Sequence, residues 1–321
     1  MDMLPTVSPK AHDPSNIFAD LRIPPQRIIL KRLVMKGTFG RLYEAKLRVR
    51  TRRNSRQFVR WKTVFVKTVS AYATHEQIEV FLKDASKLAS IRNRRITSVI
   101  ATTQQDSALN GAISRVIPWL VYPHAELGNL KHFLRTPTRS SNENMSTKGL
   151  TADQIVILGL QIVQAVEYLH HNGIVHGDVA TRNCLLRSQV CVTLCDSALS
   201  RDFFPEDYQC LGDNTNRPIK WLALEALVGR TFSRATDVWS VGVTLWELVT
   251  KGQQPYSLFD PFEMPNILRS GYRLEQPSNC PEEIVQLPEQ KLSEAYTSCI
   301  RDMKILIHRT KSYFTGTVRS M

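Results

Sequence analysis

The sequence predicts an α+β protein in two parts: a small, mostly antiparallel sheet with one helix, followed by a larger, mainly helical part. Residues 28–34, 41–50 and 64–67 have strand-like patterns, and residues 41–50 alternate apolar and basic side chains. Residues 76–91 carry a single apolar stripe at helical spacing. From residue 130 onward helical patterns dominate, and residues 237–250 are largely apolar, which predicts a helix that is buried on all sides.

In the first part the predicted strands are residues 28–34, 41–50, 64–67 and 115–122. A glycine turn at residues 36–40 joins the first two strands, and a basic turn at residues 51–62 leads into the third. Along residues 41–50, Leu47 and Val49 are expected to face inward, whereas Arg48 and Arg50 face the solvent.

The second part begins with a predicted helix at residues 130–135. After a polar loop, Thr151 and Gln154 form a capping box that starts a helix ending at residues 172–173. A short strand is predicted at residues 190–194. Residues 260–263 are expected to cap one more helix, which Pro265 should kink or break because it would lie in the helix interior.

Composition excludes several classes of protein. The chain has 42 basic and 29 acidic residues, a net charge of +13, which favours acidic partners. No run reaches the roughly 18 apolar residues of a membrane-spanning helix, and the first residues lack the apolar core of a secretory signal. The six scattered cysteines form no C-x-x-C pair, as expected of reduced thiols in a cytoplasmic protein without a zinc site.

The candidate chemistry centres on residues 175–183, which read VHGDVATRN. Asp178 follows His176 by two positions, and Asn183 comes five residues later. This is the spacing of a phosphoryl-transfer loop, in which an aspartate orients the attacking hydroxyl and accepts its proton, and an asparagine helps to hold a metal ion. The loop therefore predicts transfer of a phosphoryl group.

Other residues at suitable distances support this prediction. Lys67 lies on a half-buried strand, where it can hold nucleotide phosphates while Asp84 fixes its ammonium group. A glycine turn lets backbone N–H groups approach a phosphate, and Asp196 follows a strand in a position to bind Mg²⁺. Alone, a lysine on a strand is usually solvated, and a G-x-x-G sequence is usually a plain hairpin turn.

Asp237 is predicted to have a structural role. At the start of a helix it can accept backbone N–H bonds and support residues 175–183 from beneath.

The basic stretch at residues 48–62 has more than one interpretation. A solvated strand face is favoured, and contact with acidic lipid or acidic protein is the second choice. Nucleic-acid binding is disfavoured because only Phe58 and Trp61 could serve as stacking platforms.

Together these residues resemble a protein kinase domain of the tyrosine-kinase branch, to which the sequences ATRN (residues 180–183) and RPIKW (residues 217–221) point. Residues 198–227, 237–256 and 260–264 are similar to the intracellular kinase-like domain of the Ryk/Derailed family of Wnt-binding receptors. The likeness covers roughly residues 27–283. It implies a two-lobed protein kinase-like fold that binds ATP and Mg²⁺, if it binds nucleotide at all, at a hinge near residues 122–125.

By this resemblance each site residue has an expected role. The expected catalytic residues are Asp178, Lys67 and Arg182. Nucleotide would contact Met35, Gly37, Gly40, Leu42, Lys67, Asp84, Tyr122 and His124, and the metal ligands would be Asn183 and Asp196. Tyr208 would be the regulatory tyrosine of the activation loop.

The departures from the family pattern predict a weakly active or inactive kinase. Met35 replaces a phosphate-loop glycine, Asp84 is one methylene shorter than the usual glutamate, and Tyr122 narrows the adenine pocket. Gly177 replaces an arginine that would grip phosphorylated Tyr208, and Ser197-Ala198 replaces Phe-Gly. The residues expected to carry out the chemistry remain in place, so an active, ATP-dependent tyrosine kinase is the alternative. These residues are Lys67, Asp178, Asn183 and Asp196.

The predicted domains are a lead-in at residues 1–26, an N-lobe at 27–121, a C-lobe at 122–283 and a divergent tail at 284–321. The tail lacks the arginine that normally pairs with Glu225, and its residues 292–306 form a candidate substitute helix. The expected function is receptor signalling at the cytoplasmic side of the plasma membrane through protein partners. Wnt would be bound only by an extracellular region that this sequence does not contain.

Overall fold

In a computed structural model of the chain, the structure describes residues 18–53, 56–109, 113–136, 149–278 and 280. Contacts divide the chain into two compact units. The first reaches to Ile91 and includes Ser98–Pro123, and the second contains Arg92–Thr97 and the chain from His124 onward. In the residues described, the first unit is an antiparallel sheet with one α-helix, and the second is mainly helical. The predicted α+β class is therefore confirmed.

The first unit is built on a five-stranded antiparallel sheet in the order β1-β2-β3-β6-β5. Its strands are β1 (Ile28–Lys36), β2 (Gly40–Arg53), β3 (Arg56–Val69), β5 (Ala101–Leu109) and β6 (Ile113–Pro123). Alternate side chains of the central strands form its core, which includes Ala45, Val64, Val66 and Val121. As predicted, Leu47 is buried and Val49 half-buried, whereas Arg48 and Arg50 are exposed.

Two features of this sheet were not predicted correctly. The basic turn expected at residues 51–62 is wrong, because β2 and β3 continue as a ladder as far as Arg53 opposite Arg56. Phe58, Val59 and Trp61 favour strand structure and lie among the basic residues of this segment. Strand β5 was missed because it is rich in threonine and glutamine, although Thr102 and Thr103 are buried.

Helix α1 (His75–Ser86) packs Phe81 and Ala85 inward. It begins at a capping box formed by Thr74 and Gln77. The helix ends five residues before the predicted boundary, because residues 86–91 form turns with i to i+3 hydrogen bonds in place of the helical pattern.

The second unit contains a three-stranded sheet and six helices among the described residues. The strands, in sheet order, are β4 (Ile96–Thr97), β8 (Cys191–Cys195) and β7 (Cys184–Ser188). The helices are α2 (Leu130–Arg135), α3 (Ala152–His171), α4 (Ser200–Phe203), α5 (Leu224–Val228), α6 (Arg234–Val249) and α7 (Met264–Arg269). The part of the chain that the structure describes also contains five short 3-10 helices: Ala19–Leu21, Pro25–Arg27, Thr181–Asn183, Pro205–Asp207 and Ile219–Trp221.

Helix α3 forms the centre of this unit. The predicted capping box of Thr151 and Gln154 is confirmed, and the left-handed Gly173 (φ 72°) follows its C-terminus. By length and composition it could cross a membrane, but half of its apolar window is buried inside the protein, as in the core helix of a globular domain.

Helices α6 and α7 begin at different places from those predicted. Ser233 and Thr236 form a capping box, so α6 starts at Arg234 rather than Asp237. Pro265 lies in the first turn of α7, where a missing N–H costs nothing, so the expected kink does not occur. The candidate helix at residues 292–306 lies outside the described residues.

Candidate active site

The loop at residues 175–183 is held in place by Asp237, near the start of α6. One oxygen of Asp237 accepts a hydrogen bond from the backbone N–H of Gly177, and the other accepts one from His176, both at 2.7 Å. His170 also donates to this carboxylate at 2.9 Å. Gly177 has a φ of 77°, a conformation that glycine adopts with little strain. The predicted support of the loop by Asp237 is confirmed.

The carboxylate of Asp178 is buried and bonded on every side. Arg182 forms an ion pair with Oδ1. At Oδ2, the amide of Asn183 donates at 2.8 Å and the hydroxyl of Tyr208 donates at 2.5 Å. The structure thus brings together four of the predicted residues and places the Tyr208 hydroxyl on Asp178, the residue expected to be the catalytic base.

Arg182 links the other members of this cluster. Its Nε donates to the Tyr208 hydroxyl at 2.8 Å, and its Nη1 lies 3.3 Å from Asp207 Oδ2. The guanidinium carbon is 4.4 Å from the centre of the Trp221 ring and 4.6 Å from that of Tyr208. The guanidinium group therefore stabilises the carboxylates and the tyrosine in one arrangement.

Burial and charge fix the protonation states. Burial would raise the pKa of Asp178, but the charge of Arg182 and the hydrogen bond from Tyr208 hold that pKa below its ordinary value. Burial, together with the charge of Asp178, raises the pKa of Tyr208 well above its ordinary value despite the opposing charge of Arg182. Near neutral pH, Tyr208 is therefore a neutral donor and Asp178 an ionised acceptor.

The two expected metal ligands, Asn183 and Asp196, are both buried. Asn183 Oδ1 accepts a hydrogen bond from the hydroxyl of Ser200 at 2.5 Å, and Asp196 Oδ1 accepts one from the N–H of Ala198 at 3.1 Å. An amide oxygen and a carboxylate are hard ligands that suit Mg²⁺ in type. In this arrangement, however, a metal ion at Asn183 would compete with Ser200.

The residue that adopts a left-handed conformation after Asp196 is Leu199, with a φ of 65°. Among the described residues Ala198 is not one of those with positive φ, and it is buried. The Cβ of Ala198 therefore causes no backbone strain at the position where kinases usually carry glycine.

The other predicted nucleotide residues lie in the first unit, apart from His124, which begins the second. The ammonium group of Lys67 on β3 lies 4.7 Å from the ring centre of Tyr122, which is almost completely buried. Asp84 is buried on α1, and its Oδ1 is 3.4 Å from the Lys87 ammonium. The pairing of Lys67 with Asp84 stays a prediction.

The glycine turn is closed by its own neighbours. The N–H of Gly37 donates to the carbonyl of Gly40 at 3.0 Å, and the Arg41 guanidinium donates to the carbonyls of Gly37 and Gly40 at 2.9 and 2.7 Å. Met35 and Leu42 face each other across β1 and β2 just before and after this turn. Contact of nucleotide with Met35, Gly37, Gly40 and Leu42 stays a prediction.

A buried polar network behind Arg182 was missed by the sequence analysis. Lys131 is fully buried and pairs with Asp207, while Glu247 accepts hydrogen bonds from Thr181 Oγ1 and Trp221 Nε1, both at 2.8 Å. Burial lowers the pKa of Lys131 and raises that of Glu247, despite their mutual attraction. One available signal was Glu247, the single carboxylate of the mostly apolar residues 238–249 of helix α6.

Comparison with known proteins identifies the group to which this fold and site belong. The family model "Protein tyrosine and serine/threonine kinase" matches residues 28–298. The chain belongs to this kinase family. Within it, the chain is 40% identical to the tyrosine-protein kinase Dnt of Drosophila melanogaster over 83% of its own length and 41% of that protein. It is also 40% identical to the tyrosine-protein kinase RYK of Mus musculus, over 83% of the chain and 42% of the relative.

A further member of the group is named as inactive. The inactive tyrosine-protein kinase RYK of Caenorhabditis elegans is 39% identical over 72% of the chain and 40% of that relative. The resemblance to the Ryk/Derailed family is thus confirmed, and the chain spans about two fifths of the length of these relatives. The match is to a kinase domain.

Proposed function

We propose that this chain is a receptor signalling domain with a kinase fold, in which Tyr208 blocks Asp178 and phosphotransfer that depends on Asp178 does not occur. The contact between the Tyr208 hydroxyl and Asp178 Oδ2, at 2.5 Å, carries the proposal. Signalling then depends on protein partners that recognise the domain. This function agrees with the kinase membership of the chain and with its altered nucleotide residues.

The block follows from the chemistry of the reaction. In a protein kinase the loop aspartate accepts the proton of the substrate hydroxyl, so that hydroxyl must lie within hydrogen-bond distance of the carboxylate. In this chain the Tyr208 hydroxyl already lies there and is also bonded to Arg182. A substrate tyrosine therefore has to displace Tyr208 before its proton can be transferred.

The expected cofactors would meet a similar obstacle. Asn183 and Asp196 would hold Mg²⁺ and Lys67 the phosphates, and the metal ion would neutralise phosphate charge. Ser200 donates to Asn183 Oδ1, so metal binding would require this hydrogen bond to be shared or broken. If Met35, Asp84 and Tyr122 contact nucleotide as the family pattern implies, they would also weaken nucleotide binding.

A working tyrosine kinase is the second candidate, and one observation favours it. The pKa of Asp178 lies below its ordinary value, so the carboxylate is ionised as a catalytic base must be. Tyr208 would then be a removable block. Asp178-dependent transfer of phosphate would support this candidate and contradict the proposal.

The wider setting of the domain is also part of the proposal. By its relation to RYK and Dnt, the domain would work at the cytoplasmic side of the plasma membrane, downstream of a Wnt-type signal. Its partners would be signalling proteins. Experiments that measure binding of signalling proteins to this chain alone test whether the domain itself recognises them.

Thermal unfolding with increasing ATP, with and without Mg²⁺, tests the nucleotide site. A ligand at a hundredfold its Kd stabilises the protein by about 2.7 kcal/mol, which is readily measured. The proposal predicts little or no Mg²⁺-dependent shift. A Mg²⁺-dependent rise in Tm that is lost in both Lys67→Ala and Asp196→Asn would contradict it, and Arg32→Gln serves as an exposed control.

A further inference from the structure

The hairpin formed by β2 and β3 extends past the rest of its sheet. The recorded pairing of β1 with β2 ends at Leu47, and that of β6 with β3 ends at Val64. Beyond these points, six residue pairs from Arg48–Trp61 to Arg53–Arg56 continue the ladder. At roughly 3.4 Å per residue this two-stranded ribbon is about 20 Å long. Within the described residues no third strand pairs with it.

This ribbon carries a large share of the charge of the chain. Residues 48–62 contain seven basic residues and no acidic residue, against a net charge of +13 for the whole chain. The basic residues are Arg48, Arg50, Arg52, Arg53, Arg56, Arg60 and Lys62. Such a charge density attracts a polyanionic surface.

Large apolar side chains are exposed on the same ribbon. Phe58 is 51%, Val59 52% and Trp61 44% exposed. Directly opposite residues of an antiparallel ladder share a face, so Trp61 shares one with Arg48, and Val59 with Arg50. Phe58 and Arg60 occupy the other face with Val49. Each face therefore combines positive charge with apolar surface.

The base of the ribbon is fixed to the sheet. The guanidinium group of Arg27 donates two hydrogen bonds, at 3.0 and 2.9 Å, to the carbonyl of Arg48. This carbonyl belongs to the first ribbon residue after the last β1–β2 pair. The ribbon is thus held by the folded unit at the point where it leaves the sheet.

We propose that this hairpin binds the surface of a bilayer containing anionic phospholipids. Arg48 and Arg50 would contact the lipid headgroups, while Trp61 and Val59 on the same face would enter the interface between headgroups and acyl chains. Exposed valine offers nothing to stacked bases, which favours lipid over nucleic acid as the polyanion. A purely solvated face would account for the arginines but leaves the three exposed apolar side chains unexplained.

Electrostatic attraction and burial of apolar side chains together determine how strongly the hairpin should bind the membrane. Each basic residue close to an anionic membrane contributes roughly fivefold to the partition coefficient. Neutralising two arginines should therefore weaken binding by roughly 25-fold if their effects are additive. The apolar contribution should persist in high salt, whereas the electrostatic one should fall as the Debye length shortens.

Sedimentation of the whole chain with vesicles tests the proposal. The vesicles are mixed phosphatidylserine and phosphatidylcholine, with pure phosphatidylcholine for comparison, at low and high salt. The test variant is Arg48→Gln/Arg50→Gln. The matched control, Lys31→Gln/Lys83→Gln, removes the same charge from exposed positions elsewhere in the same unit. Thermal melts establish that all variants fold.

The proposal predicts binding to the phosphatidylserine vesicles, a large loss in the arginine variant and little loss in the control. It also predicts a blue shift of tryptophan fluorescence on binding that is absent in Trp61→Phe. Four outcomes would overturn it: no vesicle binding by folded protein, equal binding to pure phosphatidylcholine, equal loss in the lysine control, or tighter binding to a labelled single-stranded oligonucleotide.

Discussion

The hydroxyl of Tyr208 donates a hydrogen bond to Oδ2 of Asp178 at 2.5 Å, and Arg182 bonds both residues from one side. The contact joins residues 30 positions apart in the chain. Because all three side chains are buried, each supports the position of the other two. In this state the group expected to act as catalytic base is the acceptor for a side chain of its own protein.

Replacing Tyr208 by phenylalanine should destabilise the fold. The substitution removes a hydroxyl that donates to a buried carboxylate, and hydrogen bonds to charged groups contribute about 1.5–3 kcal/mol. We expect a loss of about 2 kcal/mol in the free energy of unfolding, measured in urea. Tyr72→Phe is the control because Tyr72 is 80% exposed, and it should change little. Equal effects of the two substitutions would contradict the buried contact.

Alkaline titration should show that Tyr208 does not ionise in the folded protein. Its folded-state pKa lies well above the ordinary value, since burial and Asp178 oppose the phenolate. The resulting stabilisation is complete below the unfolded pKa of about 10 and is lost as pH rises toward the folded pKa.

The chain has nine tyrosines, so absorbance at 295 nm reports all of them together. Wild type and Tyr208→Phe should give the same increment near pH 10 until the protein unfolds. If the absorbance increment of folded wild type exceeds that of Tyr208→Phe by the amount expected for one tyrosine, Tyr208 ionises in the folded protein and the prediction is wrong.

Removal of the Lys131 ammonium should cost much more than removal of a surface charge. Lys131→Met would leave the buried carboxylates of Asp207 and Glu247 without the positive charge of Lys131. We therefore expect the free energy of unfolding to fall by about 3–5 kcal/mol. Adding Asp207→Asn should restore part of this loss, because a buried charge disappears.

The matched control is Arg32→Met. Arg32 pairs with Glu44 at 3.2 Å, but its side chain is 69% exposed, so the expected loss is below about 1 kcal/mol. Similar costs at the two sites in urea unfolding would argue against a buried ion network.

Replacing Gly177 by alanine should destabilise the protein through its backbone. Gly177 has a φ of 77°, whereas a Cβ there would meet only Phe232 at an ordinary 3.7 Å. Because the left-handed conformation costs other residues roughly 1–2 kcal/mol, we expect a loss of this size. Gly149→Ala is the control, since Gly149 has no positive φ and no neighbour within 4 Å of the added Cβ. A neutral effect at Gly177 would refute the strain argument.

The sequence predicted best those features that depend on local chemistry. The capping box at Thr151 and the support of the loop by Asp237 both follow from side-chain oxygens accepting nearby or well-placed N–H groups. Spacing alone suggested that Asp178 and Asn183 lie together. By contrast, the contacts of Tyr208 depend on the path of a segment 30 residues away, which no periodicity specifies.

Other errors have a physical origin in competing signals. Arginines at residues 51–62 resemble a turn by composition, but cross-strand pairing extends the hairpin through them. The burial of Lys131 was hidden because a lysine on a short helix is normally solvated. Pro265 looked like an interior residue only because the start of α7 was placed too early.

The most direct test of the account is a phosphotransfer assay with ATP, Mg²⁺ and a tyrosine-containing polymer, comparing wild type, Asp178→Asn and Tyr208→Phe. Wild type should transfer phosphate no faster than Asp178→Asn. Tyr208→Phe then separates the effect of the Tyr208–Asp178 contact from that of the altered nucleotide site. If Tyr208→Phe transfers phosphate faster than wild type and this increase requires Asp178, Tyr208 is the main block. If the rate does not increase, the nucleotide site also limits transfer. Wild-type transfer that Asp178→Asn abolishes would contradict the central claim.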